Sequence, residues 1–485
     1  MTMPLSDLVQ RDLPVDPVIT GVTADSRKVK AGTLFVALPG SKVDGRSFIP
    51  AALDAGAAAI LAPSDVTGLP VPVVHAQDPR RAYALAAASF WGAQPKTCVA
   101  VTGTNGKTSV AVFCRQIFAE LGHKAASMGT LGVTVSEKGK PDVQLTPPGL
   151  TTPDAADVSE MLAKLAADGV THMALEASSH GVDQRRLDGV RLTAGGFTNF
   201  TQDHLDYHGT MGVYRAAKLR LFDTLLPRWS TAVLNADSDA YPAFAAAAIG
   251  AGLTLSSVGE KGRGLRLVCR ELLPEGQRLV IAHDGVEHVV NLPLAGAFQA
   301  DNVLVAAGLC IAAGEEPAAV LKALEHLQGA AGRLQRVGTG PKGGEAYVDY
   351  AHTPDGLETV LKALRPHTRG KLIAVFGAGG DRDRSKRPQM GQIAARLADV
   401  AIVTDDNPRS EEPAVIRAEI MAAARGAREI GDRREAIRAA AAMLEDGDVL
   451  VVAGKGHEQG QIIAGVTHPF DDVAETASAL GLSDG

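Results

Sequence analysis

The sequence lacks paired cysteines and long apolar runs. Its four cysteines, Cys98, Cys114, Cys269 and Cys310, are far apart and form no CxxC pair, which argues against a zinc site and against a disulfide framework. Residues 1–14 contain no uninterrupted apolar core, and no run of about 18 apolar residues follows. Export and membrane spanning therefore lack support, and we expect a cytoplasmic protein.

The sequence also lacks a block of basic residues. Its net charge is −7, and lysine and arginine are scattered, which argues against a nucleic-acid or membrane-surface partner. The 52 glycines and 26 prolines follow no collagen-like period, and 46% of the residues are hydrophobic, as in a folded globular protein. Local basic residues must therefore carry any anion binding.

The length and the order of apolar segments predict the domains. A chain of 485 residues exceeds the roughly 250 to 300 residues that one core usually reaches. Short apolar runs at residues 33–38 and 58–61, separated by turns, predict a small amino-terminal α/β domain. We therefore predict three domains, at residues 1–96, 97–330 and 331–485.

Alternation of strand-like and helical segments predicts the class of the larger domains. Strand-like runs at residues 97–102, 171–175 and 231–235 alternate with helical segments such as 154–167, which is typical of a mostly parallel sheet. A second alternation follows residue 332, with strands predicted at residues 346–350, 371–376, 400–404 and 449–453. The predicted fold class is α/β, with a mostly parallel sheet in the central domain and a second fold of nucleotide-binding type in the carboxyl-terminal domain.

A glycine-rich turn, residues 103–109 (GTNGKTS), follows the first central strand and opens a helix. Backbone N–H groups and the helix dipole at such a turn form an anion cradle, so we predict a phosphate site. Lys107 would reach the terminal phosphates, and Thr108 would help to hold Mg²⁺. Val101 stands where the standard P-loop has glycine. The alternative is an ordinary glycine turn with a solvent-facing lysine.

Two further segments have the composition of a metal shell. Glu176 ends a predicted strand among small polar residues, and residues 199–208 (NFTQDHLDYH) collect oxygen and imidazole groups. Because Mg²⁺ takes few protein ligands and keeps water and phosphate oxygens, Glu176 on one ion and His204 on another would suffice. The alternatives are a carboxylate paired with a base and a hydrogen-bonded loop histidine.

Three predicted strands near the carboxyl end are followed by loops of mixed charge, at residues 377–383, 406–409 and 454–458. Ligands of open α/β sheets bind beyond the carboxyl ends of the strands. Arg382, Arg409 and Glu458 could therefore converge on a ligand that carries carboxylates and ammonium groups; the alternative is solvated surface loops. Composition alone makes Lys218 a helix-surface lysine and Asn302 a helix-capping polar residue, and it indicates no special role for Arg333.

Taken together and in order, GTNGKTS, EASSHG, NFTQDHLDYHG, YRAAK, DNPR and GKGHE resemble the Mur ligases over nearly the whole chain. DNPR, at residues 406–409, resembles the members that add diaminopimelate. The resemblance implies an ATP-dependent amide ligase of peptidoglycan synthesis, with Mg²⁺ as cofactor. It also implies an amino-terminal domain for UDP, a central P-loop-type ATPase domain and a carboxyl-terminal Rossmann-like domain for the amino acid. The ligase would join meso-2,6-diaminopimelate to UDP-N-acetylmuramoyl-L-alanyl-D-glutamate through an acyl phosphate. We expect a monomer.

The resemblance also implies the role of each site residue. The catalytic residues would be Lys107, Glu176, His204 and Lys218. The metal ligands would be Thr108, Glu176, His204 and Lys218, the last as a carbamate. The ATP-binding residues would be Gly103, Thr104, Asn105, Gly106, Lys107, Thr108, Ser109, Asn302, Arg333 and Asp349. The UDP-precursor site would comprise Ser26, Ser41, Lys42, Val43, Thr151, Thr152, Ser178, Gln184 and Arg186. The diaminopimelate site would comprise Arg382, Asp406, Asn407, Pro408, Arg409, Gly454 and Glu458.

Other functions remain open at this stage. A lysine-adding or folylpolyglutamate synthetase-like ligase would share the ATP loop and the acyl phosphate, but DNPR argues against both. A P-loop ATPase or kinase would release ADP without needing both the UDP-linked peptide and an amine. A non-catalytic nucleotide-binding protein is disfavoured because Lys107, Thr108, Glu176, His204 and Lys218 are all present.

Overall fold

The computed structural model describes residues 1–40, 44–273 and 276–482. The chain divides into two compact units, Met1–Leu265 with Val305–Val320, and Arg266–Leu304 with Leu321–Gly485. Each unit is described by itself, and the domain boundaries at residues 96 and 330 stay a prediction. Within the described ranges, no helix is both long enough and apolar enough to cross a membrane.

The amino-terminal part of the first unit is a small α/β layer. Its strands are β1 (Met3–Pro4), β2 (Val18–Ile19), β3 (Gly21–Thr23), β4 (Thr33–Val36), β5 (Ala59–Ala62) and β6 (Val73–His75). Its helices are α1 (Leu5–Val9), α2 (Ile49–Asp54) and α3 (Pro79–Trp91). Strands β3 to β6 pair in parallel and in chain order. The Asp78 side chain caps α3, whose Tyr83 and Phe90 pack into the core beneath the strands.

The central part of the first unit contains a largely parallel sheet. Its strands are β7 (Thr97–Thr102), β8 (Ala125–Gly129), β9 (Gly132–Ser136), β10 (Val143–Thr146), β11 (His172–Glu176), β12 (Ala194–Phe197), β13 (Thr231–Asn235) and β14 (Thr254–Gly259). They follow the order β10-β9-β8-β11-β7-β12-β13-β14. Among these strands, β8 with β9 and β9 with β10 pair antiparallel, and the other five pairs are parallel. The predicted mostly parallel sheet is therefore confirmed.

The helices of this part are α4 (Lys107–Glu120), α5 (Ala155–Ala167), α6 (Ser179–Asp183), α7 (Leu205–His208), α8 (Met211–Arg220) and α9 (Tyr241–Gly250). Every residue of β7 is buried, as expected for a central strand that is covered on both faces. Because β11, β7 and β12 are parallel neighbours, their last residues, Glu176, Thr102 and Phe197, end on one edge of the sheet. Residues that follow these strands can therefore share a site.

The remaining strands are β15 (Leu265–Leu273), β16 (Gly276–His283), β17 (Val286–Leu292), β18 (Gln335–Thr339), β19 (Glu345–Asp349), β20 (Leu372–Phe376), β21 (Val400–Val403), β22 (Arg428–Glu429), β23 (Val449–Ala453), β24 (Gly460–Ile463) and β25 (Val466–Pro469). The remaining helices are α10 (Ala297–Ala312), α11 (Pro317–Ala323), α12 (Pro354–Leu364), α13 (Lys386–Leu397), α14 (Pro413–Met421), α15 (Arg433–Ala442) and α16 (Asp472–Ala479). Strands β15 to β17 form an antiparallel ribbon that the sequence analysis did not predict.

The second unit contains a sheet in the order β18-β19-β23-β20-β21-β22. All its pairs are parallel except β18 with β19. In β20, Leu372, Ala374 and Phe376 face one core, whereas Ile373 and Val375 face another. Since successive side chains of a strand point to opposite faces, this sheet is buried on both sides, as the Rossmann-like prediction requires.

Candidate active site

The glycine-rich turn connects β7 to α4, as predicted. A Cβ on Gly103 would lie 1.9 Å from the Thr198 hydroxyl oxygen, so only glycine fits at this position without rearrangement. Gly106 has φ +85° and precedes the first residue of α4. The Asn105 amide donates to Asn199 Oδ1 at 2.9 Å, and the Thr198 hydroxyl donates to the Asn105 carbonyl at 2.6 Å. The residues following β12 therefore hold the turn in place.

Lys107 lies over its own turn. Its Nζ donates to the carbonyl oxygens of Gly103 and Thr104, at 2.9 Å in each case. The backbone N–H groups at the start of α4 and this ammonium group are the donors that a phosphate site needs. The alternative of a lysine that only faces solvent is therefore wrong.

Glu176 is buried at the end of β11 and accepts hydrogen bonds from neutral donors. Its carboxylate accepts from the Thr108 hydroxyl at 3.0 Å and from the Thr130 amide at 2.8 Å. A Cβ on Gly129 would lie 2.0 Å from Glu176 Oε1, so glycine is needed for this approach. The Thr108 hydroxyl and the Glu176 carboxylate are therefore close enough to bind the same cation.

Lys218 is 1% exposed in α8, and its Nζ donates to the Gly103 carbonyl at 2.6 Å. The same nitrogen lies 4.5 Å from the centre of the Tyr214 ring. Burial, helped by the positive charge of Lys107 and opposed by Asp203, holds the pKa of Lys218 well below its usual value. Composition alone indicated a helix-surface lysine. That interpretation is wrong, because the side chain points into the glycine-rich turn at residues 103–109.

His204 has φ +51° and precedes α7. Its Nε2 lies 3.3 Å from Asp203 Oδ2, and its ring is 4.9 Å from that of His180. Burial lowers the pKa of His204; Lys107 and Lys218 lower it further, whereas Asp203 raises it. A lowered pKa keeps the imidazole neutral near pH 7, which is the form that binds metals.

The residues predicted for the muramoyl-peptide side of the precursor form a continuous hydrogen-bonded network in the first unit. The Thr152 hydroxyl donates to the Glu176 carbonyl at 2.9 Å and lies 2.9 Å from the Ser178 hydroxyl. Arg186 donates to the Thr152 carbonyl at 2.6 Å and to Gln184 Oε1 at 2.7 Å. This network leads from Arg186 to the strand end that carries Glu176.

Thr151 joins the same group through a different residue. Its hydroxyl oxygen lies 3.0 Å from that of Thr130, whose amide donates to Glu176. The structure therefore brings together all five residues predicted here: Thr151, Thr152, Ser178, Gln184 and Arg186. Thr130 and Gly129 were missed, because a glycine that ends a strand and the threonine after it carry no sequence signal of their own.

The predicted uridine side of the site is only partly described. Ser26 lies in a short 3₁₀ turn, Ser26–Lys28, which Asp25 caps by accepting from the Arg27 amide. This turn lines a cavity of about 590 Å³ that also includes Phe48 and Asp154. Ser41, Lys42 and Val43 lie outside the described residues, so their predicted contacts stay predictions.

In the second unit, three residues predicted for ATP are buried or partly buried. Asp349 accepts from the Leu334 amide at 2.6 Å and from the Ala351 amide at 2.7 Å, and burial raises its pKa to about 6. The guanidinium of Arg333, the residue before Leu334, lies 4.6 Å from the centre of the Tyr350 ring. Arg333 and Asp349 therefore belong to one cluster.

Asn302 lies inside α10, where its amide donates to Gln299 Oε1 at 3.0 Å. The helix-capping interpretation of this residue is therefore wrong. Its predicted contact with ATP stays a prediction, as do those of Arg333 and Asp349.

Two of the loops predicted to bind an amino acid meet at a buried lysine that the sequence analysis missed. Lys455 is 0% exposed, and its Nζ donates to Asn407 Oδ1 at 3.0 Å and to Glu458 Oε2 at 3.2 Å. Asn407 in turn donates to Glu458 Oε2 at 2.8 Å. A Cβ on Gly454 would lie 2.7 Å from Asp406 Oδ2. The loops after β21 and β23 are thus held together by the hydrogen bonds of Lys455, Asn407 and Glu458 and by the close packing of Gly454 against Asp406.

Arg409 links these loops to the one after β20. It has φ +55°, its amide donates to the Ile462 carbonyl at 2.9 Å, and its guanidinium donates to the Gly380 carbonyl at 2.8 Å. A Cβ on Gly380 would lie 1.9 Å from the Pro408 carbonyl oxygen. Arg382 is exposed on the same loop as Gly380. The loops after β20, β21 and β23 therefore meet, whereas the convergence of Arg382, Arg409 and Glu458 on one ligand stays a prediction.

Three family models match the chain, in the order of the predicted domains. Residues 18–90 match the Mur ligase family, catalytic domain; residues 101–310 match the Mur ligase middle domain; and residues 332–456 match the Mur ligase, glutamate ligase domain. The α/β fold class with a small amino-terminal domain, a central domain and a carboxyl-terminal domain is the architecture of this family.

Relatives match the chain over nearly its whole length. The chain is 75% identical over 481 residues to the UDP-N-acetylmuramoyl-L-alanyl-D-glutamate--2,6-diaminopimelate ligase of Caulobacter vibrioides, covering 99% of both chains. It is 54% identical over 467 residues to the protein of the same name from Agrobacterium fabrum, covering 96% of this chain and 94% of that protein. A solved structure of that name is similar with a TM-score of 0.76 and 34% identity, covering 99% of both chains.

Proposed function

The chain belongs to the Mur ligase family, and from this membership we propose that it uses ATP to join meso-2,6-diaminopimelate to UDP-N-acetylmuramoyl-L-alanyl-D-glutamate. One structural observation carries the proposal. Lys107, Thr108, Glu176 and Lys218 gather around the Gly103 turn at the end of β7. We place this reaction in peptidoglycan synthesis, and we propose a cytoplasmic monomer, since the proposed substrates are ATP, a nucleotide-linked peptide and a small amino acid.

Mg²⁺ fits the donors that are present. The Thr108 hydroxyl and the Glu176 carboxylate, 3.0 Å apart, are oxygen ligands of the kind this ion prefers. Thr108, Glu176, His204 and a carbamylated Lys218 would hold two such ions, with Glu176 on one ion and His204 on the other. When bound, Mg²⁺ offsets negative charge on phosphate and carboxylate oxygens.

The environment of Lys218 supports its conversion to a carbamate. Only a neutral amine attacks CO₂, and the lowered pKa of Lys218 makes the neutral form available. The nitrogen lone pair forms the bond to carbon, one C=O π pair moves to oxygen, and one proton leaves the nitrogen for solvent, so the neutral amine becomes a carbamate anion. A negative group at this position attracts a cation that an ammonium group would repel.

Phosphoryl transfer explains why such a ligase needs the phosphate turn. A carboxylate does not react with an amine directly because its oxygen is a very poor leaving group. One carboxylate oxygen of the precursor therefore attacks the γ-phosphorus of ATP, ADP leaves, and an acyl phosphate forms. Lys107 and the N–H groups at the start of α4 stabilise the charge on the transferred group.

The second step consumes the acyl phosphate. The amine attacks the acyl carbon, the tetrahedral intermediate loses inorganic phosphate together with one proton from nitrogen, and an amide remains. The Arg186–Thr152–Ser178 network, which leads to Glu176, supports a role in holding the precursor carboxylate near the phosphate turn. Water must be kept away from the acyl phosphate during this step, because hydrolysis would waste ATP.

Recognition of the amino acid is proposed for the loops after β20, β21 and β23. Diaminopimelate has a second carboxylate that lysine lacks, and an arginine binds a carboxylate with two parallel hydrogen bonds. Arg409 is held between the Ile462 and Gly380 carbonyls, which supports a fixed guanidinium at this position. Asn407 and Glu458 offer amide and carboxylate oxygens for an ammonium group. Arg382, Asp406, Pro408 and Gly454 complete the proposed pocket.

ADP release in the presence of different substrate pairs tests the proposal. We expect rapid ADP formation only when the UDP-linked dipeptide and meso-diaminopimelate are both present. ADP formation with ATP alone would indicate a P-loop ATPase. ADP formation with the dipeptide and lysine, but not with diaminopimelate, would indicate a lysine-adding ligase.

A further inference from the structure

A second cluster of ligand-type side chains lies at the opposite end of β11 from Glu176. His172 is the first residue of this strand, and Glu176 is the last. His123 follows α4, whose first residue is Lys107, and Glu315 follows α10. His123 Nε2 lies 2.9 Å from Glu315 Oε1, and His172 Nε2 lies 3.4 Å from the same oxygen. All three residues belong to the first unit.

We propose that His123, His172 and Glu315 bind one zinc ion. One ligand atom from each residue lies within 4.8 Å of the other two. In a tetrahedral site with zinc bonds of about 2.0 to 2.1 Å, two ligand atoms stand about 3.3 Å apart. The distances of 2.9 and 3.4 Å to Glu315 Oε1 bracket that value, so this oxygen already lies at a ligand-to-ligand distance from both histidine nitrogens.

A hydrogen bond orients the ring of His172. Its Nδ1 lies 2.8 Å from the Thr171 hydroxyl, which fixes the ring and leaves Nε2 facing Glu315. The two imidazole ring centres are 3.8 Å apart, so the rings must move apart for both Nε2 atoms to point at one tetrahedral ion.

The donor set selects the class of ion. Two imidazole nitrogens and one carboxylate suit zinc or a related transition metal, whereas Mg²⁺ takes oxygen ligands. Three protein ligands leave a fourth position for water. The proposed site is also distinct from the one proposed for Mg²⁺, because the length of β11, about 13 Å at roughly 3.3 Å a residue, separates His172 from Glu176.

The position of the cluster predicts what the ion would do. It would join the end of α4, the beginning of β11 and the segment after α10. Because α4 begins at Lys107, zinc at its far end would stabilise the element that carries the phosphate turn without contacting substrate. The alternative is an ordinary histidine–glutamate hydrogen-bonded pair that binds no metal, and it predicts no zinc uptake.

Zinc binding by the chelator-treated full-length protein tests this proposal. We expect equilibrium dialysis to give one zinc ion at this site, and Co²⁺ in its place to give the intense visible absorption of a tetrahedral site. His172→Gln and His123→Gln should each weaken zinc binding by at least roughly 10-fold, the loss known even for outer-shell partners of metal ligands. Zinc should also raise the melting temperature of the parent and not of these variants.

Two controls separate this site from other histidines. His75→Gln changes an exposed histidine of β6 and should leave zinc binding unchanged. His208→Gln changes a histidine whose ring is 5.4 Å from that of His180, and it should leave the tetrahedral Co²⁺ spectrum unchanged. If His172→Gln does not fold, zinc binding by His123→Gln provides the test, because His123 is partly exposed. Parent-like zinc affinity in His123→Gln, or no zinc uptake by the parent, would overturn the proposal.

Discussion

The Nζ atom of Lys218 lies 2.6 Å from the carbonyl oxygen of Gly103, to which Lys107 Nζ also donates at 2.9 Å. Two lysines therefore share one acceptor at the centre of the phosphate turn. Lys218 is buried, and the ammonium group of Lys107 would repel a second positive charge nearby. Both effects favour the neutral form of Lys218. One lysine is thus suited to bind phosphate and the other to react with CO₂.

Replacing Lys218 by alanine should abolish most ligase activity. The variant cannot form a carbamate, so a negative group near the Gly103 turn is lost. We expect kcat to fall roughly 100- to 1,000-fold, the range for losing one preorganised electrostatic group. Added short carboxylic acids should restore part of the activity, and ¹³C NMR with labelled bicarbonate should detect a carbamate only in the parent.

Lys164→Ala is the matched control for this experiment, because Lys164 is an exposed lysine of α5. It should retain parental activity and carbamate signal. Full activity of Lys218→Ala without added acid would remove Lys218 from the mechanism.

Replacing Gly103 by alanine should impair ATP use. The new Cβ would lie 1.9 Å from the Thr198 hydroxyl oxygen, so the turn or the segment after β12 must move. Displacements of about 1 Å near reacting groups cost about 100-fold in rate, and we expect a comparable fall in kcat/KM for ATP. Gly250→Ala is the control, since a Cβ there meets no atom within 4 Å. Equal activity of the two variants would contradict the structural account of this turn.

Replacing Lys455 by methionine should weaken binding of the amino acid. The change removes the donors to Asn407 and Glu458 and leaves both without that partner. We expect KM for diaminopimelate to rise at least roughly 10-fold, because losing a hydrogen bond to a charged group costs about 1.5 to 3 kcal/mol, while KM for ATP changes little. Lys371→Met, at an exposed lysine of the same unit, should match the parent. A parallel rise in both KM values would indicate general loss of structure instead.

Acid should destabilise the second unit through His457. Burial, with a contribution from Arg333, lowers the pKa of this histidine from its usual 6.5 to about 4. The unfolded chain therefore binds a proton between pH 6.5 and 4 that the folded chain does not, so stability falls as pH falls through this range. From pH 7 to 5 the loss is about 2 kcal/mol.

Hydrogen exchange of the β23 amides at pH 7 and pH 5 measures this effect. His457→Gln cannot take up the proton, so its opening free energy should depend less on pH than that of the parent. Identical pH dependence in both proteins would show that His457 titrates normally.

Replacing Arg409 by alanine should narrow the preference for diaminopimelate over lysine. The distal carboxylate of diaminopimelate would lose its bidentate partner, whereas lysine has no such group to lose. The ratio of kcat/KM for the two amines should fall by at least roughly 10-fold, since hydrogen bonds to charged groups contribute about 1.5 to 3 kcal/mol. Arg425→Ala, at an exposed arginine after α14, is the control. An unchanged ratio in Arg409→Ala would remove this arginine from selection.

Local patterns predicted much of the fold because each depends on neighbouring residues. The apolar runs at residues 231–235 and 449–453 coincide with β13 and β23, and the alanine run at residues 245–248 lies in α9. The predicted helix at residues 154–167 begins one residue later, because Asp154 caps it by accepting from the Ala156 amide.

The features that were missed depend on contacts between distant residues. Lys455 looks like a loop lysine in GKGHE, and only pairing of β19, β23 and β20 buries it beside Asn407. Thr130 reaches Glu176 across 46 positions of sequence, and Lys218 reaches Gly103 across 115. The antiparallel strands β15 to β17 were missed because polar and charged residues interrupt or flank the short apolar segments of these strands.

Product mass after incubation with ATP, Mg²⁺, UDP-N-acetylmuramoyl-L-alanyl-D-glutamate and a mixture of meso-diaminopimelate, lysine and ornithine tests the central claim most directly. The account predicts one ligated product, heavier than the precursor by diaminopimelate less one water, formed together with ADP and phosphate. A product containing lysine or ornithine instead, or ADP without any ligated product, would contradict it.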